Sequence, residues 1–141
     1  AMTDYIEHHA RQVARLVSTL AEIPDAGGGS LMDSTLIVWG SELGDGWHGY
    51  RHYCPVLIGG SWTFKTGRYL YWPHTTPAEM RVPSQVVDGG ATRFSGIPHQ
   101  RLLVSVAGAM GLDVDQVGPR YVRGQRGDFF DLTGPLDRLV S

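Results

Sequence analysis

The chain has 141 residues, of which 42% are hydrophobic and 18% charged, and its formal net charge is -2. This is enough material for one globular domain with a buried core. The near-neutral charge excludes nucleic-acid binding through bulk positive charge and membrane binding through a polybasic patch. No apolar run approaches the roughly 20 residues that a membrane-spanning helix needs, and a single cysteine excludes an internal disulfide.

The first predicted element is an amphipathic helix over residues 3–23. Its apolar residues recur at spacings of three and four, which places them in one stripe along a helix. Thr3 or Asp4 can cap the first turn, and Pro24 lies just beyond the last one. A glycine-rich connector is predicted over residues 24–34.

The following part of the chain, residues 35–141, is predicted to be an α/β region, so that residues 1–141 form a single domain. Leu36–Trp39 and Val56–Ile58 are short apolar runs, rich in β-branched residues and bounded by Gly or Pro. Such runs are typical of buried strands in a parallel sheet. The predicted fold class is therefore α/β, with a small sheet of parallel strands flanked by the first helix and a second helix over residues 98–110.

The second helix is predicted to begin at Pro98, which suits a first turn, and to stop at Gly111. Its spacing predicts the following residues on the core side: Leu102, Leu103, Val106, Ala109 and Met110. His74 and His99, which neighbour prolines, are interpreted as residues that make local hydrogen bonds.

A polar loop between the two predicted strands carries the candidate metal ligands Glu42, Asp45, His48 and His52. Ligands and catalytic groups gather at the carboxyl ends of strands in open α/β sheets. A carboxylate together with imidazoles suits zinc or another divalent transition metal such as manganese. The alternative is that Glu42 accepts hydrogen bonds from loop amides while both histidines lie in solvent.

The start of this loop differs from the motif that presents a catalytic serine. A nucleophile elbow has serine at the centre of Gly-x-Ser-x-Gly, whereas Glu42 occupies the centre of the segment 40–44. We therefore assign no catalytic nucleophile to Ser41.

Two aromatic-rich runs, at 62–65 and 68–72, are predicted to pair as a β-hairpin, with an ordered loop as the alternative. Alternating aromatic residues are more often core than ligand platform, so most of them are expected to be buried. The alternative is a binding platform formed by Trp62, Tyr69 and Trp72. The long segment 73–97, rich in Pro, Gly and Thr, is predicted to be a loop, and loops of that length in a compact domain are usually functional or disordered.

Residues 31–44, which read LMDSTLIVWGSELG, resemble the C-terminal part of an uncharacterised bacterial family named for its His-x-x-Ser-His-His motif. The preceding helix and connector agree with that family as well. The resemblance continues, in order, through residues 52–60, 66–70, 102–106, 109–111 and 134–136. It therefore covers nearly the whole chain.

This family resembles the alkaline-phosphatase and sulfatase superfamily, and the resemblance implies both a fold and an activity. It implies the C-terminal portion of an alkaline-phosphatase-like fold and a metal-dependent hydrolase of phosphate or sulfate esters. Ser41-Glu42 would stand where the superfamily has an Asp-His or Asp-Asn ligand pair, and His52 (or His48) would be a later histidine ligand. The bound ion would be zinc or manganese.

The resemblance also implies an incomplete site, because the naming motif, the nucleophile strand and the other ligands would lie upstream of this segment. We expect the chain to be the C-terminal portion of a larger protein or a truncated relative, inactive when isolated. Its partner would be the missing N-terminal portion or an oligomeric partner. The family implies export, although the chain begins without a signal-peptide pattern. The alternative function is a non-catalytic module of an exported protein, binding a polymer or partner through the aromatic hairpin and the loop 73–97.

Overall fold

The computed structural model describes residues 2–41, 53–72, 97–123 and 129–140. Its elements, in chain order, are α1 (Met2–Glu22), β1 (Leu36–Trp39), β2 (Val56–Gly59), α2 (His99–Ala109), β3 (Tyr121–Arg123) and β4 (Phe129–Asp131). The predicted ends of the two helices and of the first two strands agree with the observed ends to within one residue. Differences of this size are usual at the ends of helices. β3 and β4, which pair with each other in antiparallel direction, were not predicted.

The prediction of a parallel sheet, made from strand composition and from the family resemblance, is wrong. β1 and β2 are antiparallel neighbours, with Leu36 opposite Gly59 and Trp39 opposite Val56. Parallel strands need both faces covered, usually by crossover helices. Here Val38 and Val56 are exposed, and no residue of either strand is fully buried. The apolar runs were therefore correctly identified as strands, but their composition did not determine their direction.

One compact unit comprises residues 1–39 and 56–61. No residue of α1 is fully buried; the partly buried ones are Ala10, Val13, Val17 and Leu20, spaced as a single stripe. The connector folds back on the end of the helix, where the amide of Leu31 donates to the carbonyl of Ile23 at 2.9 Å. The carboxylate of Asp33 then closes the turn into β1 by accepting from the amide and hydroxyl of Ser30. These two hydrogen bonds hold the pKa of Asp33 below its ordinary value.

The other compact unit comprises residues 40–55 and 62–141. Its buried apolar side chains, within the described residues, are Phe64, Leu102, Val104, Ala109, Leu132, Leu136 and Leu139. α2 contributes three of these, and the C-terminal segment 132–139 contributes three more. The amide of Leu136 donates to Ser105 Oγ at 2.8 Å and to the carbonyl of Arg101 at 3.1 Å, which ties this segment to α2.

The predicted aromatic hairpin is not formed. Within residues 62–72 the only β-bridge joins Phe64 to Val140, and the amide of Lys65 donates to the carbonyl of Leu139 at 3.2 Å. The first aromatic run therefore pairs with the C-terminal segment instead of the second run. Among the described helices, none is both long and apolar enough to cross a membrane.

Candidate functional site

All four predicted metal ligands, Glu42, Asp45, His48 and His52, lie outside the described residues. The structure does describe the two strand ends that flank this segment. Trp39, the last residue of β1, is the register partner of Val56, the first residue of β2. The chain therefore leaves β1 and enters β2 at the same end of the paired strands.

Tyr53 lies against the residue at which the chain leaves β1. Its hydroxyl oxygen is 3.2 Å from the position that a Cβ atom on Gly40 would occupy, and the Cα atom of Pro55 is 3.6 Å from the same position. A side chain at residue 40 would therefore push the tyrosine away. Glycine here lets the ring of Tyr53 pack against the backbone.

His99, the first residue of α2, is a further neighbour of Tyr53. The two rings meet edge to face, with centroids 5.0 Å apart and planes at 87°. Partial desolvation lowers the pKa of the His99 imidazole, although the residue as a whole is exposed. Sequence reasoning assigned His99 only local hydrogen bonding, because no spacing rule connects it to a tyrosine so distant in the chain.

No group of three or more His, Cys, Asp or Glu residues within the described part of the chain could hold a metal ion. Cys54 is exposed and unpaired with any other cysteine. The predicted ligand set thus remains a prediction that depends on residues 42–52.

The second group of predicted site residues, the aromatic ones, is mostly accessible. Among the aromatic residues of the runs 62–65 and 68–72, Tyr69 is 79% exposed, Tyr71 and Trp62 are exposed as well, and only Phe64 is fully buried. Trp62 is fixed by a hydrogen bond of 3.0 Å from its indole nitrogen to the carbonyl of Ala109. The prediction that most of these rings are buried is wrong.

Trp72 is held by the C-terminal segment. Its indole nitrogen donates to the carboxylate of Asp137 at 2.9 Å, and the guanidinium of Arg138 lies 5.0 Å from the ring centroid. Arg138 has a left-handed backbone, with φ 60°, and its guanidinium also donates to the carbonyl of Tyr71. Arg68 secures the same turn by donating to the carbonyl of Arg138 at 2.8 Å. Trp72 is therefore an anchoring residue, unlike the exposed Tyr69.

No family model, no curated protein and no solved structure matches this chain.

Proposed function

We propose that this chain contributes ligands to a divalent-metal site in a protein that hydrolyses phosphate or sulfate esters. Glu42 and His52 are the first-choice ligands, and His48 and Asp45 are second choices. The ion would be zinc or manganese, for which a carboxylate and imidazoles are suitable donors. The family resemblance supports the reaction class and the export of the protein.

The observation that carries the proposal is the antiparallel register of β1 and β2. Glu42 follows the end of β1 by three residues, and His52 precedes the start of β2 by four. Had the strands been parallel, these two strand ends would lie at opposite ends of the sheet, separated along the strand direction by about 10 Å, which is three steps of roughly 3.3 Å. The observed antiparallel register instead fixes both ends of the loop at the same end of the paired strands. The antiparallel arrangement thus favours Glu42 and His52 as a pair of ligands.

A bound divalent ion would supply electrostatic stabilisation of the charge that develops on a transferred phosphoryl or sulfuryl group and would acidify a water molecule. The role of this chain would be to fix the ligands. The paired ends of β1 and β2 limit the positions that the first and last residues of the loop can reach. The contact between Tyr53 and Gly40 limits them further.

Metal titration of the chain tests the proposal. We expect Zn²⁺ to bind with micromolar or weaker affinity, because two or three protein groups form an incomplete shell. Glu42→Gln and His52→Gln should each weaken binding more than tenfold in isothermal titration. Glu22→Gln is the matched control, since Glu22 is an exposed carboxylate at the end of α1. Binding that is equally strong in wild type and Glu42→Gln would show that the metal lies elsewhere.

A partner that completes the site is part of the same proposal. It would be another portion of the same protein, with an oligomeric partner as the alternative. α1 supports the need for one, because its apolar residues Met2, Ile6 and Leu16 are exposed and neither β1 nor β2 packs against it. Exposed apolar residues beside the partly buried stripe of an amphipathic helix are suited to an interaction surface.

The exposed aromatic residues favour a second candidate function, a non-catalytic module that binds a polysaccharide. Tyr69 and Tyr71 present rings to solvent, and such rings can stack on sugar faces. Affinity electrophoresis through gels that contain a soluble polysaccharide tests this function. Tyr69→Ala should abolish retardation without changing the melting temperature, whereas Tyr5→Ala, at an exposed tyrosine on α1, should leave both unchanged. Equal mobility of wild type in gels with and without polysaccharide rejects this candidate.

A further inference from the structure

The segment 68–72 presents two tyrosine rings on one side of the chain. Its backbone forms neither helix nor turn. Tyr69 and Tyr71 are exposed, at 79% and 54%. The residues that alternate with them, Leu70 and Trp72, are partly buried. Because side chains two residues apart in an extended chain point to the same side, the two exposed rings form one aromatic surface.

The C-terminal segment fixes the backbone that carries these rings. Arg138 donates to the carbonyl of Tyr71 at 3.3 Å, and the indole nitrogen of Trp72 donates to Asp137 at 2.9 Å. At the start of the segment, Arg68 donates to the carbonyl of Arg138 at 2.8 Å. A surface that is fixed before binding loses little conformational entropy when a ligand binds, and a tyrosine side chain has few rotatable bonds to restrict. The aromatic surface is thus suited to stacking on a ligand.

Two exposed cations precede the rings. They are Lys65, which is the one lysine of the chain, and Arg68. The Nε atom of Arg68 donates to the carbonyl of Lys65 at 3.0 Å, and neither cation pairs with a carboxylate within the described part of the chain. Residues 61–72 contain no Asp or Glu, and the carboxylate of Asp137 already contacts Arg138 at 3.3 Å. A chain whose net charge is -2 thus carries a local surplus of positive charge beside its exposed tyrosines.

Stacking rings beside cations indicate the chemistry of the ligand. Tyrosine rings pack on the faces of sugars, and cations attract carboxylate and sulfate groups. We propose that Lys65 and Arg68, together with the two tyrosines, form a surface that binds an acidic polysaccharide. This inference rests on the second candidate function, polysaccharide binding, and names the class of polysaccharide. Single-stranded nucleic acid also combines rings with negative charge, but its tight binding depends on neutralising several phosphates, for which two cations are too few.

Binding of the full chain to immobilised polymers, measured by surface plasmon resonance, tests the inference. Two of the polymers, polygalacturonate and dextran sulfate, are acidic polysaccharides. The others are uncharged dextran and single-stranded oligothymidylate. We expect the acidic polysaccharides to bind more tightly than dextran does, and we expect this difference to shrink as the NaCl concentration rises, because salt screens exposed charges.

The charge of Lys65 is tested separately from the aromatic rings. Lys65→Gln should weaken binding to the acidic polysaccharides roughly two- to fivefold, the effect of one exposed charge pair. Because the side chain is exposed, the melting temperature should not change. Arg15→Gln is the matched control, since Arg15 is an exposed cation on α1, and it should bind as wild type does.

Four results would overturn the inference. Equal binding of dextran and the acidic polysaccharides, unchanged in Lys65→Gln, rejects the acidic class and leaves polysaccharide binding intact. Equal losses in Lys65→Gln and Arg15→Gln would show that net charge alone attracts the polymer. Tighter binding of oligothymidylate than of either acidic polysaccharide would make nucleic acid the ligand. If no polysaccharide binds, the second candidate function and the inference fail together.

Discussion

At the scale of single residues, Gly59 shows how one backbone position holds the sheet of the α1 unit together. Its φ of 83° lies in the left-handed region that favours glycine. A Cβ atom at this residue would collide with the carbonyl oxygen of Thr35 and lie 2.7 Å from Cε of Met32. Because the oxygen belongs to the backbone just before β1, the collision cannot be relieved by a side-chain rotation.

Gly59→Ala should therefore lower the free energy of unfolding by about 2 kcal/mol or more, combining left-handed strain with overpacking. Urea denaturation measures the loss. Gly67→Ala is the matched control, since Gly67 also has a positive φ, 68°, but no atom lies within 4 Å of the added methyl group. It should cost about 1 kcal/mol, the strain alone. Equal losses in both variants would contradict the collision at Gly59.

At the scale of elements, the local patterns of the sequence predicted which helices and strands form better than they predicted how those elements are arranged. Both helices follow from apolar spacing and from Pro or Gly at their ends, which are local signals. The direction of β2 relative to β1 depends on how the chain between them runs, and strand composition carries no information on that. The prediction of the core face of α2 was only partly correct. Leu102 and Ala109 are buried as predicted, whereas Met110 is exposed and Val104 is buried without having been predicted.

The C-terminal segment was the element least visible in the sequence. Residues 132–139 have neither helical nor strand periodicity, yet Leu132, Leu136 and Leu139 all enter the core. They do so because turns around Gly134 and Arg138, both with positive φ, bring irregularly spaced leucines to the same side. Periodicity cannot detect such a segment, since its geometry is set by hydrogen bonds to α2 and to residues 65–72.

Leu139→Ala tests whether this segment is an integral part of the core. The side chain is 7% exposed, so its truncation should leave a cavity and lower the free energy of unfolding by about 3 kcal/mol. Leu112→Ala is the control at a leucine that is 59% exposed, where the change should stay within about 0.5 kcal/mol. Chemical denaturation of both variants provides the comparison. If Leu139→Ala unfolds as Leu112→Ala does, the segment does not contribute to the core.

At the scale of the whole molecule, the candidate site could be predicted only as a set of residue types in one loop. The sequence predicted Glu42 and His52 as ligands from their chemistry and from their positions beside strands, and this stays a prediction. It could not predict the edge-to-face contact of His99 with Tyr53, because only the tertiary structure brings these two residues together. The exposure of Tyr69 was missed for a related reason: alternation predicts two faces, but not which of them another segment will cover.

The activity of the isolated chain is the last prediction, and it follows from what a metal site with two or three ligands lacks. A bound ion can polarise an ester, but nucleophilic catalysis also needs an activated attacking group. Ser41 stands beside Glu42 rather than at the centre of an elbow, so we expect no measurable hydrolysis of aryl phosphates or aryl sulfates with Zn²⁺ or Mn²⁺ present. Release of nitrophenol is the measurement, and Ser34→Ala, in the turn before β1, is the control for Ser41→Ala. Turnover that persists through purification, survives Ser34→Ala and disappears in Ser41→Ala would contradict this and would assign the nucleophile to Ser41.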